Sequence, residues 1–562
     1  MRRSLPLAAV AVAFAAADTY VVVLALPDMM LTVGLGVDQL QRAAPIISGF
    51  LLGYVAMLPL IGRVADLRGR VPVLTASLLV FALGSLVTAL SADLPTMVAG
   101  RFLQGVGGGG LVPATLALVA DLYPADRRAV PLGVVSGVQE LGSVLGPLYG
   151  ALVLALADWE AIFWVNLAVG LVLAAALTSR GRPRPARSRP DPVGLLLLGL
   201  CLAGLVLVLA RPESLTSDLV LGWPYVPLVG DSLWLAPLSL ATVTLAVMLV
   251  LRCLLASHPL VDLRGWGRTF ATADLAGALL LALVLAGVIL AFATADPAVQ
   301  VFSPAGEWLL GAAGALAVLL GMHLRRARRP LVPRRALRRT PAWGSLLASF
   351  FVGAALIAAL VDIPVYARLT SFPDSQLGAA LVLVRLLVAL PVGAVAGGYL
   401  TRRFPAGAVC LVGMLAAAGG FGWMSRWGLH SLDGPMATVP LVVAGLGFGL
   451  ALAPVNAALL ASTADEVHGL ASALVVVARM VGMLVGISVL TTIGLHRYFT
   501  AQAALPAIAD VCGDGTACPR YARLVDLAAL TQVQTIFVGA ALCALLAGVL
   551  AAGLLRGAPT RS

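Results

Sequence analysis

Three ionisable residues stand inside apolar runs, where charge is costly. Asp18 interrupts AFAAADTYVVVLALPD, Glu140 lies in GVQELGSVLGPLYG, and Arg479 lies in LASALVVVARMVGMLVG. A charge at the centre of a lone membrane helix costs about 2.5 to 3.5 kcal/mol or more, so these groups should face one another or a wet cavity. Two acids opposite one base leave a carboxylate able to bind a proton. The chemistry these residue types point to is reversible protonation tied to the making and breaking of an ion pair. A static pair that only holds helices together is the competing reading.

The elements that carry these residues follow from composition. The chain has 562 residues, 60% of them hydrophobic and 11% charged, and a mean hydropathy of +1.01. That balance excludes an ordinary water-soluble protein. Apolar runs of about 20 residues, the length that crosses a hydrocarbon core, recur along almost the whole sequence. The fold class is therefore all-α and polytopic. The net charge of +11 would suggest nucleic acid in a soluble domain, but the arginines sit in loops between spans and no nucleic-acid partner is expected. MRRSLPLAAVAVAFAAA resembles a secretory signal with cleavage before Asp18. The apolar run resumes at once as YVVVLALP, which favours one retained span.

Six spans near residues 5–27, 43–61, 71–91, 95–120, 130–155 and 161–178 form a first domain, 1–180. Six more near 343–363, 377–400, 406–424, 438–460, 469–500 and 522–555 form a last one, 343–562. The linker between them, 181–342, opens on the Arg- and Pro-rich SRGRPRPARSRPD and holds apolar runs near 192–210, 234–255, 273–294 and 306–324. It repeats itself: DPVGLLLLGLCLAGLVLVLA from Asp191 aligns with DLAGALLLALVLAGVILAFA from Asp274, and PLVDLRGWGRTFA from Pro259 with PLVPRRALRRTPA from Pro330. We read a duplicated helix pair. The expected total is sixteen spans, or fourteen if one linker pair only lies at the surface. Every second loop carries the arginines, which places those loops and both termini in the cytoplasm of a plasma (inner) membrane protein.

Other motifs refine the reading. In GRVADLRGR, Asp66 can accept from the N-terminus of a neighbouring helix or pair with Arg70, latching the cytoplasmic side. A plain solvated loop is the alternative. Gly142, Gly146 and Gly150 line one helix face, as do Gly482 and Gly486, where another backbone can approach closely. Pro147 predicts a kink in the helix carrying Glu140. Arg101 and Arg385 also fall inside spans, and Asp362, near the outer end of the preceding span, is the candidate partner of Arg385. GVGGGG lacks the lysine of a phosphate loop and follows no strand. The histidines form no catalytic or metal-ligand grouping, so metal and hydrolytic chemistry have no support. Cys512 and Cys518 flank a Gly-rich turn placed outside the membrane. A disulfide there is the favoured reading and two free thiols the alternative.

Twelve core helices in two sixes resemble the major facilitator superfamily. Gly62, Asp66, Gly69 and Arg70 resemble its cytoplasmic loop signature; Arg101, Gln104 and Gly105 its fourth-helix motif; Gly142, Gly146, Pro147 and Gly150 its helix-five antiporter motif. ADTYVVVLALP and DWEAIFWVNLAVG resemble helices one and six of the fourteen-helix drug:proton antiporter branch. Within that branch, ADTYVVV, QELGSVLGPLYG, ALVDIPV, LPVGAVAGGYL and ALVVVARMVGMLVG look closest to its mycobacterial triacylglyceride exporters. Departures are Leu67, where the loop signature usually has Arg, and the doubled linker. The resemblance implies an ion lock of Asp18, Glu140 and Arg479, driven by the proton gradient without a bound cofactor. It also implies an extension of the last two helices beyond the outer surface at about 497–522. The implied function is proton-coupled export of a hydrophobic molecule, preferably triacylglyceride, to a periplasmic lipoprotein acceptor. Multidrug efflux is the alternative, and an integral-membrane lipid-modifying enzyme the alternative of another class.

Overall fold

The computed structural model describes residues 4–560 apart from 36–39, 125, 180–190, 217–221, 230–231, 294–302, 304, 334–335, 374 and 513–517. The Arg- and Pro-rich connector and the turn between Cys512 and Cys518 thus lie outside the described residues, as does the side chain of Pro147. No strand occurs among the described residues. The first half is α1 (Leu5–Thr32), α2 (Leu40–Arg68), α3 (Arg70–Ala89), α4 (Leu94–Leu122), α5 (Ala129–Leu154) and α6 (Glu160–Ser179). The linker holds α7 (Pro192–Ala210), the short α8 (Glu213–Thr216), α9 (Pro237–Leu255), α10 (Leu263–Thr272), α11 (Leu275–Ala293) and α12 (Gly306–Arg326). The second half is α13 (Thr340–Leu369), α14 (Gln376–Leu400), α15 (Ala406–Met424), α16 (Thr438–Ala461), α17 (His468–Ala503), the short α18 (Ile508–Cys512) and α19 (Pro519–Leu554). Fifteen described helices are long and apolar enough to cross a membrane, and α1 contributes the shorter apolar stretch Leu5–Thr19. Several helices begin with the side-chain cap that satisfies a free backbone N–H. Asp93, for example, accepts from the Thr96 N–H at 2.9 Å.

The two halves repeat one packing scheme. In the first, α1 lies against α5, α2 and α3 against α4, and α3 against α6; in the second, α13 lies against α17, α14 and α15 against α16, and α15 against α19. The crossings of α1 with α5 and of α13 with α17 use the glycines expected to do so. A Cβ on Gly142 or Gly146 would strike the Ala13 or Ala17 carbonyl of α1. One on Gly482 would strike the Phe350 carbonyl of α13, and one on Gly486 the backbone of Ala354. Glu140 and Arg479 stand two and three residues before these glycines, so each is fixed at the closest approach in its own half. Gly150 is buried farther along α5.

The linker pairs close their arginine-rich ends alike. Asp191 caps α7 through the Gly194 N–H at 3.0 Å and accepts from Arg252 at 3.1 Å. The Gly194 N–H and then Arg252 hold its carboxyl below the usual range. Asp274 accepts from the Gly277 N–H at 3.1 Å, the Leu331 N–H at 2.8 Å and His323 at 2.8 Å. Burial pushes the Asp274 carboxyl up, but the bonds from His323 and the two N–H groups outweigh it and leave it lowered. His323 thus stands where the aligned repeat puts Arg252. The pairs differ in placement: α11 packs on both α2 and α17, whereas α7 and α9 pack chiefly on each other. The sequence reading missed α10, which lies on the arginine-rich side and is strongly amphipathic. Its Trp266 and Phe270 pack inward, while Arg264 and Arg268 are exposed.

Gly142→Leu should lower stability in detergent by about 1 to 3 kcal/mol, the usual cost of overpacking. Gly419→Leu, where an added Cβ meets nothing within 4 Å, should leave the thermal midpoint unchanged.

Candidate functional site

Two buried ion pairs occupy the middle of the helices. In the first, an Arg479 guanidinium nitrogen lies 3.1 Å from Glu140 Oε1. Both side chains are 7% exposed, so each charge depends on the other for compensation. Because α5 belongs to the first half and α17 to the second, this bond joins the halves. In the second, Arg101 of α4 donates to Asp18 Oδ2 at 2.8 Å and to Gln104 Oε1 at 2.8 Å. Gln104 donates onward to Ser85 at 2.8 Å, and Asn166 of α6 donates to Asp18 Oδ1. Arg101 also lies over the Phe50 ring, 4.5 Å from its centroid. This second network lies wholly within the first half.

Asp18 and Arg479 are therefore not brought together as the shared depth along their helices predicts. Depth comes from counting residues, whereas partner choice depends on which way the side chain points around the helix. Asp18 is on the face of α1 that meets α4 and α6; Glu140 is on the face of α5 that meets the second half. Arg101 was visible as a charge in a span without an assigned partner, and Asn166 in FWVNLAVG was missed. A polar residue nearly two turns inside an otherwise apolar span was the available signal. The expected pair of Asp362 and Arg385 is also absent. Arg385 donates to Thr438 of α16 at 3.1 Å, while Asp362, 4% exposed, has no ion pair among the described residues. Asp362 turns into the packing of the second half, whereas Arg385 reaches across to α16.

At the arginine-rich ends, Asp66 makes both contacts that were open to it. It pairs with Arg70 and accepts from the first N–H groups of α17, Gly469 at 2.7 Å and Leu470 at 3.0 Å. Arg70 also lies 3.2 Å from Asp121. A carboxylate at a helix N-terminus is favoured by the exposed N–H donors and the helix dipole. Gly69 has φ +99°, which lets α2 end and α3 begin without a linking loop. Gly62 lies against Gly469, since a Cβ on either would strike the other's carbonyl. Arg63 donates to the Glu466 carbonyl at 3.1 Å. Gly105, beside the Arg101 network, faces the Phe50 carbonyl of α2 in the same close manner. The arginine-rich side is thus latched between α2 and α17. A small cavity lies beyond the Glu140–Arg479 pair, lined among others by Thr19, Phe50, Tyr54, Leu356, Met480 and Met483 from both halves. Cys512 and Cys518, at the other end of α17 and α19, are disulfide-bonded.

Two repeated six-helix units, bonded at mid-depth and latched at one side around a cavity, define an integral-membrane transporter rather than an enzyme. The chain belongs to the Major Facilitator Superfamily, whose sequence pattern matches residues 8–325 and 323–487. It is 36% identical over 510 residues to the triacylglyceride transporter of Mycobacteroides abscessus, covering 88% of this chain and 83% of that one. It is likewise 36% identical over 538 residues to the triacylglyceride transporter of Mycobacterium tuberculosis, covering 92% of this chain and 86% of that one. Among solved structures it resembles the human organic anion transporter MFSD10 in fold, with a TM-score of 0.52 at 16% identity over 98% of this chain and 99% of the other.

A double-mutant cycle separates the two pairs. Asp18→Asn and Arg101→Leu should couple by about 1 kcal/mol or more in unfolding free energy, whereas Asp18→Asn and Arg479→Leu should add within about 0.5 kcal/mol.

Proposed function

We propose that this protein exports a neutral lipid, triacylglyceride or a close relative, from the cytoplasmic side of the plasma membrane, driven by proton entry. The arginine-rich side is the cytoplasmic one, both termini lie there, and sixteen helices span the bilayer. The single observation that supports this reading best is the buried Glu140–Arg479 bond joining the two halves beside the cavity. A proton on Glu140 removes the charge that Arg479 needs. The halves then lose their mid-depth bond, and the balance between faces shifts toward opening at the Asp66 latch. Loss of the proton restores the bond and the latched state. Asp18 and Arg101 form a second ionisable pair that fixes α1, α4 and α6 as one body, so that α5 moves with them.

The lipid substrate rests on the named relatives and on the apolar and thioether side chains lining the cavity, Phe50, Leu356, Met480 and Met483. A periplasmic lipoprotein acceptor fits the length of the last helices. Helices α17 and α19 have 36 residues each, roughly 54 Å at 1.5 Å per residue, against about 30 Å of hydrocarbon. Their surplus stands outside the outer surface and ends near the Cys512–Cys518 bridge, a rigid projection suited to docking.

In proteoliposomes with an imposed pH gradient, fluorescent triacylglyceride should be moved to acceptor vesicles by the native protein. Glu140→Gln and Arg479→Ala should lose at least tenfold of the gradient-dependent rate. Ethidium efflux that tracks the gradient, with no lipid movement, would select multidrug export instead. Wild-type lipid rates in both variants would refute the coupling.

A further inference from the structure

A second cavity lies on the cytoplasmic side of Arg479 and has no part in the coupling scheme so far. Its lining includes Ser136 and Gln139 of α5, Ser349 of α13, Asn456 of α16 and Arg479 itself, set among Leu116, Leu452 and Val475. Gln139 and Arg479 line both cavities and so stand between them. Its polar groups are deeply buried: Ser136 is 3%, Gln139 5%, Ser349 5% and Asn456 8% exposed. Asn456 donates to Ser136 across the two halves at 3.2 Å. An amide has two donors and two acceptor sites, so this bond leaves most of its capacity for another partner. Farther toward the cytoplasm, on α17, the buried Ser472 hydroxyl makes no hydrogen bond among the described residues. Polar groups buried at such depth are costly unless water or protein satisfies them.

We propose that this inner cavity is a chamber for about one water, and that Asn456 and Ser136 position that water to take the proton from Glu140 toward the cytoplasm. The proposal rests on the coupling reading above. Once Glu140 is protonated, Arg479 has lost its partner and is free to swing, which joins the two cavities. The carboxyl O–H bond then breaks, its proton forms a new O–H bond on a chamber water, and the positive charge passes along water toward the cytoplasmic ends of α5 and α16. The electron pair stays on Glu140, which becomes a carboxylate and recaptures Arg479. The titratable groups facing Glu140 are Arg479 from α17 and the Tyr54 phenol from α2. Thr19 of α1, which lines the same cavity, contributes none, and Pro391 of α14 lies against Gly137, about one turn before Glu140. Asn456 and Ser136 are positioning residues: they hold water and keep no proton of their own. Their bond across the halves also means that the chamber changes shape as the latch opens.

The test uses right-side-out membrane vesicles loaded with the pH dye pyranine, with internal and external pH set separately and fluorescent triacylglyceride as substrate. Asn456→Leu removes the water-binding amide. It should slow proton appearance inside at least fivefold and flatten the dependence on internal pH, while the dependence on external pH stays as in the native protein. Asn456→Ser, which keeps a hydroxyl, should retain more than half the native rate. Should Asn456→Leu fail to fold, Ser136→Val closes the chamber from the other half and must give the same one-sided loss. Native behaviour in these blocking variants, or equal loss of the internal and external responses, overturns the chamber. Persistence of both responses in Glu140→Gln would instead overturn the coupling reading beneath it.

Discussion

The structure turns on the one mid-depth ion pair between two bodies that are also joined by the Asp66 latch and the Asn456–Ser136 bond. Each half packs its helices by the same scheme, and among the contacts between them Glu140 meets Arg479 with both side chains almost fully buried. Removing one partner from such a pair leaves an uncompensated charge, at a cost of about 3 to 5 kcal/mol. A proton does the same job reversibly. That is why the pair is better placed at the boundary between bodies than inside one. A bond inside a half would only stiffen it, as the Asp18–Arg101–Asn166 network does for the first half.

The latch at the arginine-rich ends depends on the same boundary. Asp66 caps the start of α17, and Arg479 lies about 10 residues farther along that helix, roughly 15 Å at 1.5 Å per residue. Any rotation of α17 that follows loss of the mid-depth bond therefore pulls directly on the cap. The linker adds a constraint that the twelve core helices lack. Helix α11 covers the seam between α2 and α17. The segment before it is tied to the latch loop, since Asp262 accepts from Arg68 at 2.7 Å and Arg68 lies over Trp266 at 5.3 Å. The Arg68 bond holds the Asp262 carboxyl below the usual range.

Much of this was legible in the sequence because membrane solvation makes length and charge decisive. Apolar runs of about 20 residues located the helices, the arginine loops gave their alternation, and the four-residue glycine spacing on α5 and α17 marked the crossings that position Glu140 and Arg479. The linker was read as duplicated from its sequence pattern, and the two aspartates that begin the aligned runs, Asp191 and Asp274, each cap a helix. What was not legible was direction around a helix. Counting residues put Asp18, Glu140 and Arg479 at one level but left open which faced which, and so missed that Asp18 spends its charge on Arg101. The same limit misjudged Asp362 and Arg385. Helix α10 was hidden because glycines at 265 and 267 and its high arginine content read as loop, although its apolar residues at 263, 266 and 270 have helical spacing.

The most direct measurement is the distance between the arginine-rich ends of the two halves as pH falls. Spin labels at Arg127→Cys and Arg403→Cys, exposed sites on the first and second halves, in a background lacking the free cysteines, report it by pulsed electron resonance. The longer-distance population should grow on acidification in the native protein and should be large and independent of pH in Glu140→Gln. A Glu140→Gln protein whose distances still titrate as the native ones do would contradict the claim that this carboxylate, through Arg479, holds the halves together.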